Sequence, residues 1–246
     1  MLMRVTRQQV EKMIRFEDAE VIVVHKPPFL AVETRDPRQQ DLLSLLVNRR
    51  ISNGEAAFIG VVHRLDQPVE GLLALGKTKE AAAVLSAGLR AGDLTKEYLA
   101  VVTGVTEKSG TLVHTLKKDG RTNTSAVVPA GTAGGKEARL FFERLAVTDE
   151  KSLLRIRLDT GRHHQIRVQL AAIGHPLFGD LKYGSGVKGN CRSDAGNDTG
   201  TRGQTGQPLA LCSSRLVFAH PRTGEILEFQ TKPTGAGFDE FQGVLG

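Results

Sequence analysis

Short apolar segments recur along the chain, and they outnumber the segments with helical periodicity. Strict alternation of apolar and charged residues, which is typical of a strand with one buried face, is clearest from Leu154 to Leu158. The segments that predict strands are 21–24, 98–103, 111–116, 138–147, 153–158 and 209–218. Helical periodicity occurs at 42–48, 79–89 and 164–173, where Ile166, Leu170 and Ile173 indicate a buried face. We therefore predict an α+β fold: a mixed, largely antiparallel β-sheet with flanking helices and loops around a central cleft.

The composition is that of an ordinary globular protein. The 246 residues, 40% hydrophobic and 24% charged, suffice for one large domain or two small ones, and we predict a single domain over 1–246. No apolar run approaches the length of a membrane span and no signal peptide is evident, so we expect a cytoplasmic protein. Cys191 and Cys212 are predicted to be free thiols. The segment 184–207 holds seven glycines in 24 residues, which predicts a flexible surface insertion.

The chain is basic. Its formal charge of +6 and its isoelectric point near 9.5 favour a polyanionic partner, although net charge alone is weak evidence. Local clusters of positive charge are candidates for phosphate contacts, and each alone is equally consistent with a solvated surface. These clusters are Arg35/Arg38, Arg49/Arg50, Lys117/Lys118/Arg121 and Lys182/Lys188.

One segment combines a carboxylate and a guanidinium on a turn. Residues 63–71, His-Arg-Leu-Asp-Gln-Pro-Val-Glu-Gly, follow Val61 and Val62, which read as the end of a buried strand. They precede the apolar run 72–75, which reads as the start of another strand. Rigid flanks would hold Asp66 in place, as catalytic loop residues require. An isolated Arg64/Asp66 surface turn without a role is the simpler alternative, and only further motifs argue against it.

Those further motifs are present. Segment 161–170, Gly-Arg-His-His-Gln-Ile-Arg-Val-Gln-Leu, is followed by Gly-His-Pro at 174–176 and Gly-Asp at 179–180, and Lys-Glu-Tyr occurs at 96–98. With the His-Arg-Leu-Asp segment, these motifs stand in the order found in the RluA-type family of RNA pseudouridine synthases, which the chain resembles over about residues 16–230. The first core strand begins by residue 21, so we expect no separate N-terminal RNA-binding domain.

The resemblance implies an enzyme that isomerises specific uridines in structured ribosomal or transfer RNA to pseudouridine. It assigns Asp66 as the catalytic nucleophile or base, Tyr98 as the active-site tyrosine, and Arg167 as the cation that pairs with Asp66. A phenol can both stack on uracil and relay a proton from C5. The reaction needs no cofactor, and we expect none. The expected partner is an RNA stem-loop. We expect the protein to be a monomer that does not associate with a membrane.

The resemblance also implies residues that bind the substrate. Arg64 is expected to fill the space left by the flipped nucleotide, because a planar guanidinium can stack between bases. His63, Arg162 and Gln165 complete the expected substrate-binding set, and His63 can equally serve to orient the turn.

A metal site is not expected. His163, His164 and His175 lie close in sequence, but they lack the spacing of a ligand set. The chain departs from the family pattern at Val69-Glu70, His163 and Gln169. Glu70 is the most consequential departure: a second carboxylate could tune which stem-loop is accepted, or could simply face solvent.

Two rival functions stay open. A carboxylate-based nucleoside hydrolase would use Asp66 but release free uracil, and a non-catalytic RNA-binding module would keep the basic surface without needing Asp66, Tyr98 and Arg167 together. The presence of all three residues favours the isomerase.

Overall fold

The structure is a computed structural model that describes residues 4–184 and 208–245. The predicted insertion at 184–207, apart from Gly184, and Cys191 lie outside the described residues. The chain divides into two compact units, one of Met1–Lys96 with Cys212–Pro233 and one of Glu97–Leu211 with Thr234–Gly246. The single domain and the central cleft stay predictions.

The first unit contains three helices, α1 (Arg7–Met13), α2 (Leu42–Ser52) and α3 (Lys79–Ala91), among its described residues. Its strands are β1 (Ile14–Glu17), β2 (Val21–Lys26), β3 (Gly60–Val61), β4 (Glu70–Gly76), most of β10 (Leu211–Ala219), and β11 (Ile226–Gln230). β4 is central: it pairs antiparallel with β2 and β3 and parallel with β10, while β1 pairs with β2 and β11 with β10.

Local sequence explains where these elements begin. Thr6, Asp41 and Thr78 cap the three helices with side-chain oxygens that accept backbone N–H groups of the first turn. β2 and β4 are buried along their whole length, because both faces of this part of the sheet are covered. Val21, Val23, Leu72 and Ala74 of these strands form one core cluster with α3 and β10.

The second unit is an antiparallel sheet in the order β5 (Thr95–Thr103), β9 (Lys151–Leu158), β8 (Lys136–Val147), β6 (Ser109–Asp119) and β7 (Thr124–Val128). The helix α4 (Gln165–Ala172) and a 3₁₀ helix (Ala236–Phe241) accompany it. Along β8, buried Ala138, Leu140 and Phe142 alternate with exposed residues, which is the period-two pattern of a strand with one covered face.

The α+β prediction and its mixed, largely antiparallel sheet are confirmed, since β4 with β10 is the parallel pair among the described strand pairs given above. All six predicted strands and all three predicted helices are found, with ends that differ by a few residues. α1, β1, β7 and β11 were not predicted, because each has seven residues or fewer, too few to show a clear hydrophobic period.

Two details of the prediction are wrong. The buried strand expected to end at 61–62 is a half-buried pair of residues in β3, and Ile173, assigned to a buried helix face, follows the end of α4 and is 36% exposed. No helix within residues 4–184 and 208–245 is long and apolar enough to cross a membrane.

Candidate active site

The turn that carries Asp66 connects β3 to β4 in the first unit. The carbonyl oxygen of Asp66 accepts the N–H of Val69 at 3.0 Å, which closes the turn, and Asp66 itself is half-buried. Its flanking residues Leu65 and Val69 are only 6% and 2% exposed. Apolar anchors on both sides therefore hold the backbone of this carboxylate.

His63 is a buried structural residue of the same turn. The N–H of Ala74 in β4 donates to its Nε2 at 3.4 Å, which ties the turn to the strand. Burial, together with the charge of Lys96, lowers the pKa of His63 well below its usual value, so the imidazole is neutral. Its Nδ1 is buried and has no hydrogen-bond partner among the described residues. These contacts suit the orienting role, while RNA binding by His63 stays a prediction.

Arg64 points outward from the turn. Its side chain is 67% exposed, and Nη1 pairs with a carboxylate oxygen of Glu33 at 2.6 Å. An exposed ion pair of this kind contributes little to stability and is easily exchanged for another partner. The guanidinium is accordingly available for the predicted contact with RNA.

Lys26, at the end of β2, is completely buried beneath this turn, with an exposure of 0%. Its Nζ donates to the carbonyl oxygens of Pro27, Leu30 and Gln67 at 2.9, 2.8 and 3.1 Å. Burial lowers the pKa of Lys26 to about 7, against the opposing effect of the negative charges of Asp66 and Glu70. No function was predicted for Lys26 from the sequence. The sequence feature that could have indicated a function is the position of this lysine at the end of an apolar strand.

Glu70 does not face solvent: as the first residue of β4 it is only 2% exposed. That alternative of the sequence analysis is therefore wrong, because β2 and β10 flank the start of β4 on both sides. Its charge acts on buried neighbours. It raises the pKa of Lys26 and of His25, in each case against a larger lowering by burial, and it adds to the raising of the Cys212 pKa by burial.

Arg167 lies on α4 in the second unit and is buried. Its Nε and Nη2 donate to the two carboxylate oxygens of Asp180 at 2.8 and 2.7 Å, and the two side chains are 6% and 0% exposed. This bidentate geometry is the strongest that the two groups can adopt. Asp180 belongs to the Gly-Asp motif at 179–180, but its pairing with Arg167 was not predicted from the sequence. The predicted pairing of Arg167 with Asp66, which belongs to the other unit, stays a prediction.

An aromatic cluster supports Arg167. The guanidinium carbon lies 5.2 Å from the ring centre of Tyr183, and the Tyr183 hydroxyl accepts the N–H of Ser125 in β7 at 2.8 Å. The same hydroxyl contacts Nδ1 of His164 at 2.7 Å, and the rings of His164 and His163 stack with centres 3.8 Å apart. The cluster thus links the β7 strand to the start of α4.

Gln165 fixes the start of α4 by hydrogen bonds to other residues of the protein. Its side-chain oxygen accepts the Thr160 hydroxyl at 2.8 Å and the N–H of Arg162 at 2.9 Å, and its amide nitrogen donates to the Arg139 carbonyl at 3.0 Å. Arg162 is exposed, and its Nε donates to the carbonyl of Glu137 at 2.8 Å. The geometry supports a positioning role for Gln165, and substrate binding by either residue stays a prediction.

Tyr98 lies in β5 opposite Ile156 of β9 and is 5% exposed. It belongs to the second unit, as Arg167 does, whereas Asp66 belongs to the first. Within the described residues, no group of three or more His, Cys, Asp or Glu side chains could hold a metal ion.

Comparison with known proteins identifies the family. The family model for RNA pseudouridylate synthase matches residues 20–172, more than half of the chain, and this match includes Asp66, Tyr98 and Arg167. The chain belongs to the RNA pseudouridylate synthase family. The predicted family is therefore confirmed.

Individual members of the family agree. Ribosomal large subunit pseudouridine synthase D of Vibrio cholerae is 34% identical over 88% of this chain, and the protein of the same name from Nitrosomonas europaea is 34% identical over 89%. The chain spans 65% and 61% of the length of these two relatives.

Two human structures have the same fold. Human RNA pseudouridylate synthase domain containing 4 aligns over 97% of this chain and 94% of its own, with a TM-score of 0.73 at 19% identity. Human RNA pseudouridylate synthase domain containing 1 aligns over 89% and 82%, with a TM-score of 0.67 at 25% identity.

Proposed function

We propose that this chain isomerises uridine to pseudouridine in RNA. The observation that carries the proposal is the family match over 20–172, which spans the Asp66 turn, the Tyr98 strand and the Arg167 helix. The reaction breaks the bond between ribose C1′ and uracil N1 and forms the bond between C1′ and C5. The C5 proton leaves and N1 gains one, so the atoms balance without a co-reactant.

We assign Asp66 the role of nucleophile at C1′, or of the base that removes a ribose proton. In glycosidases, carboxylates act as nucleophiles or bases in reactions that pass through an oxocarbenium-like sugar carbon. Tyr98 stacks on the uracil or relays the C5 proton, and Arg167 supplies positive charge. Arg64, Arg162, His63 and Gln165 bind or orient the RNA.

We propose ribosomal RNA as the substrate, with transfer RNA as the alternative. The names of the bacterial relatives refer to the large ribosomal subunit, and the net charge of +6 suits a polyanion. A cytoplasmic monomer is part of the same proposal.

Mapping pseudouridines in RNA from cells with and without the gene tests the proposal. We expect at least one uridine in ribosomal RNA to lose its modification when the gene is deleted and to regain it when the gene is restored. A restored gene carrying Asp66→Asn should fail, whereas Asp149→Asn, in an exposed turn, should succeed. Release of free uracil by the purified protein would indicate a hydrolase, and RNA binding without either product would indicate a binding module.

A further inference from the structure

The hydrogen bonds of Lys26 require a protonated amine. Its Nζ donates to three carbonyl oxygens, those of Pro27, Leu30 and Gln67. An ammonium has three N–H donors, whereas a neutral amine has two and a lone pair. The loss of one proton therefore leaves one of these carbonyl oxygens without its donor.

One of these bonds reaches the catalytic turn. Gln67 directly follows Asp66, so the bond from Lys26 to the Gln67 carbonyl fixes the backbone beside the carboxylate. At 3.1 Å it is the longest of the three bonds, against 2.9 Å to Pro27 and 2.8 Å to Leu30. We expect it to be the first to break when the ammonium loses its proton.

Burial opposes the ammonium that these bonds require. It lowers the pKa of Lys26 to about 7, and the negative charges of Asp66 and Glu70 limit the fall. Lys26 lies opposite Gly71 in the pairing of β2 with β4, and Glu70 directly precedes Gly71. Glu70 is the more deeply buried of the two carboxylates, at 2% exposure, so solvent screens its charge least.

We propose that Lys26 and Glu70 form a buried positioning pair for Asp66, in which the Lys26 ammonium holds the backbone of the turn and the Glu70 carboxylate supplies its buried counter-charge. The proposal rests on the proposed function, in which Asp66 is the catalytic carboxylate. Neither Lys26 nor Glu70 needs to touch the RNA. Glu70, one of the departures from the family pattern, thereby gains a role within the protein.

Other charged groups face the same pair. His25 precedes Lys26 on β2, and its pKa is lowered by burial and by Arg15 and Lys26 but raised by Glu70. Cys212 of β10 lies opposite Glu70, and burial keeps its thiol protonated by raising its pKa well above the usual value. The charge of Glu70 acts on His25 as well as on Lys26, so the contribution of His25 has to be separated.

Titration of the lysine side chains by NMR tests the pair without any need for activity. Glu70→Gln removes one of two negative charges and should lower the pKa of Lys26 by about one unit. Glu80→Gln, which removes an exposed charge from α3, should leave it unchanged. Lys26→Met assigns the resonance, and Lys26→Arg serves if that variant does not fold. An unchanged Lys26 pKa in Glu70→Gln would overturn the proposal.

The single-turnover rate on RNA, measured from pH 6 to 8, tests the link to Asp66. If the ammonium is required, Glu70→Gln should be about tenfold slower than Glu80→Gln at pH 8 but only about twofold slower at pH 6, as follows from a shift of one unit. RNA affinity should not change. His25→Gln should keep the pH dependence of the wild type.

A rate reduced equally at every pH, or a loss of RNA affinity, would show that Glu70 acts on the fold or on the RNA and would refute the positioning role. If the wild type forms no pseudouridine on any RNA, the proposed function fails. The NMR titration would still decide whether Glu70 is the counter-charge of Lys26.

Discussion

Breaking the buried ion pair between Arg167 and Asp180 should destabilise the protein strongly. In Arg167→Met the Asp180 carboxylate, which is 0% exposed, loses two charge-assisted hydrogen bonds of 2.7 and 2.8 Å and keeps the backbone donors of Lys182 and Tyr183. Removing one partner of a buried pair costs about 3–5 kcal/mol. At about 2–4 °C per kcal/mol for a chain of this size, the melting temperature should fall by roughly 10 °C.

The double variant Arg167→Met/Asp180→Asn separates charge from packing. The introduced asparagine side chain keeps an oxygen for the two backbone N–H groups but carries no charge, so the double variant should recover at least about half of the loss. Arg215→Met, which breaks a bidentate pair with Glu228 whose side chains are 35% and 42% exposed, is the matched control and should cost less than about 1 kcal/mol. Urea unfolding of all four variants, including Asp180→Asn alone, gives the coupling energy. Additive losses, or a cost below about 1 kcal/mol for Arg167→Met, would refute the reasoning.

Three further predictions follow from the contacts of single residues. Arg64→Ala should slow single-turnover conversion in a folded stem-loop much more than in an unstructured oligonucleotide, and an equal loss on both would exclude a special part in base flipping. Lys117→Ala or Lys118→Ala, on exposed positions of β6, should each reduce the slope of log affinity against log salt by up to about one unit; an unchanged slope would remove these residues from the RNA surface. Burial lowers the pKa of His63 in the folded state, so as the pH falls the unfolded state takes up this proton before the folded state does. The free energy of unfolding should therefore fall by up to about 1.4 kcal/mol per pH unit below about pH 6.5. His63→Gln should flatten that part of the stability curve measured by urea unfolding, and a curve like that of the wild type would assign the slope to other groups.

Much of the fold could be predicted because the spacing of apolar residues along the chain indicates whether a segment is a strand or a helix. The alternation in β9 and the apolar face of α4 gave correct elements, since burial on one side imposes the pattern on the residues themselves. β7 escaped prediction because a short strand between β6 and the next turn has too few residues to show a period. Its place depends on pairing with β6, which is a tertiary interaction.

The site was predicted less completely, for a physical reason. Motifs name the residues that chemistry requires, and so Asp66, Tyr98 and Arg167 could be proposed from sequence. The partners of such residues depend on distance in space: Asp180 follows Arg167 by 13 residues, and Gln67 is 41 residues from Lys26. Glu70 is a further example. Its position in the sequence was consistent with a role in substrate choice or with exposure to solvent, and its burial became evident only from its neighbours in the sheet.

Release of tritium from C5 of labelled uridine in RNA, during a single turnover by the purified protein, tests the central claim most directly. Isomerisation moves the glycosidic bond to C5, so each pseudouridine formed releases one C5 hydrogen to water. We expect the wild type and Asp149→Asn to release tritium at equal rates and Asp66→Asn to be slower by about 10⁴-fold or more, with its melting temperature unchanged. Appreciable tritium release by verified Asp66→Asn would contradict the assignment of Asp66 as the catalytic carboxylate.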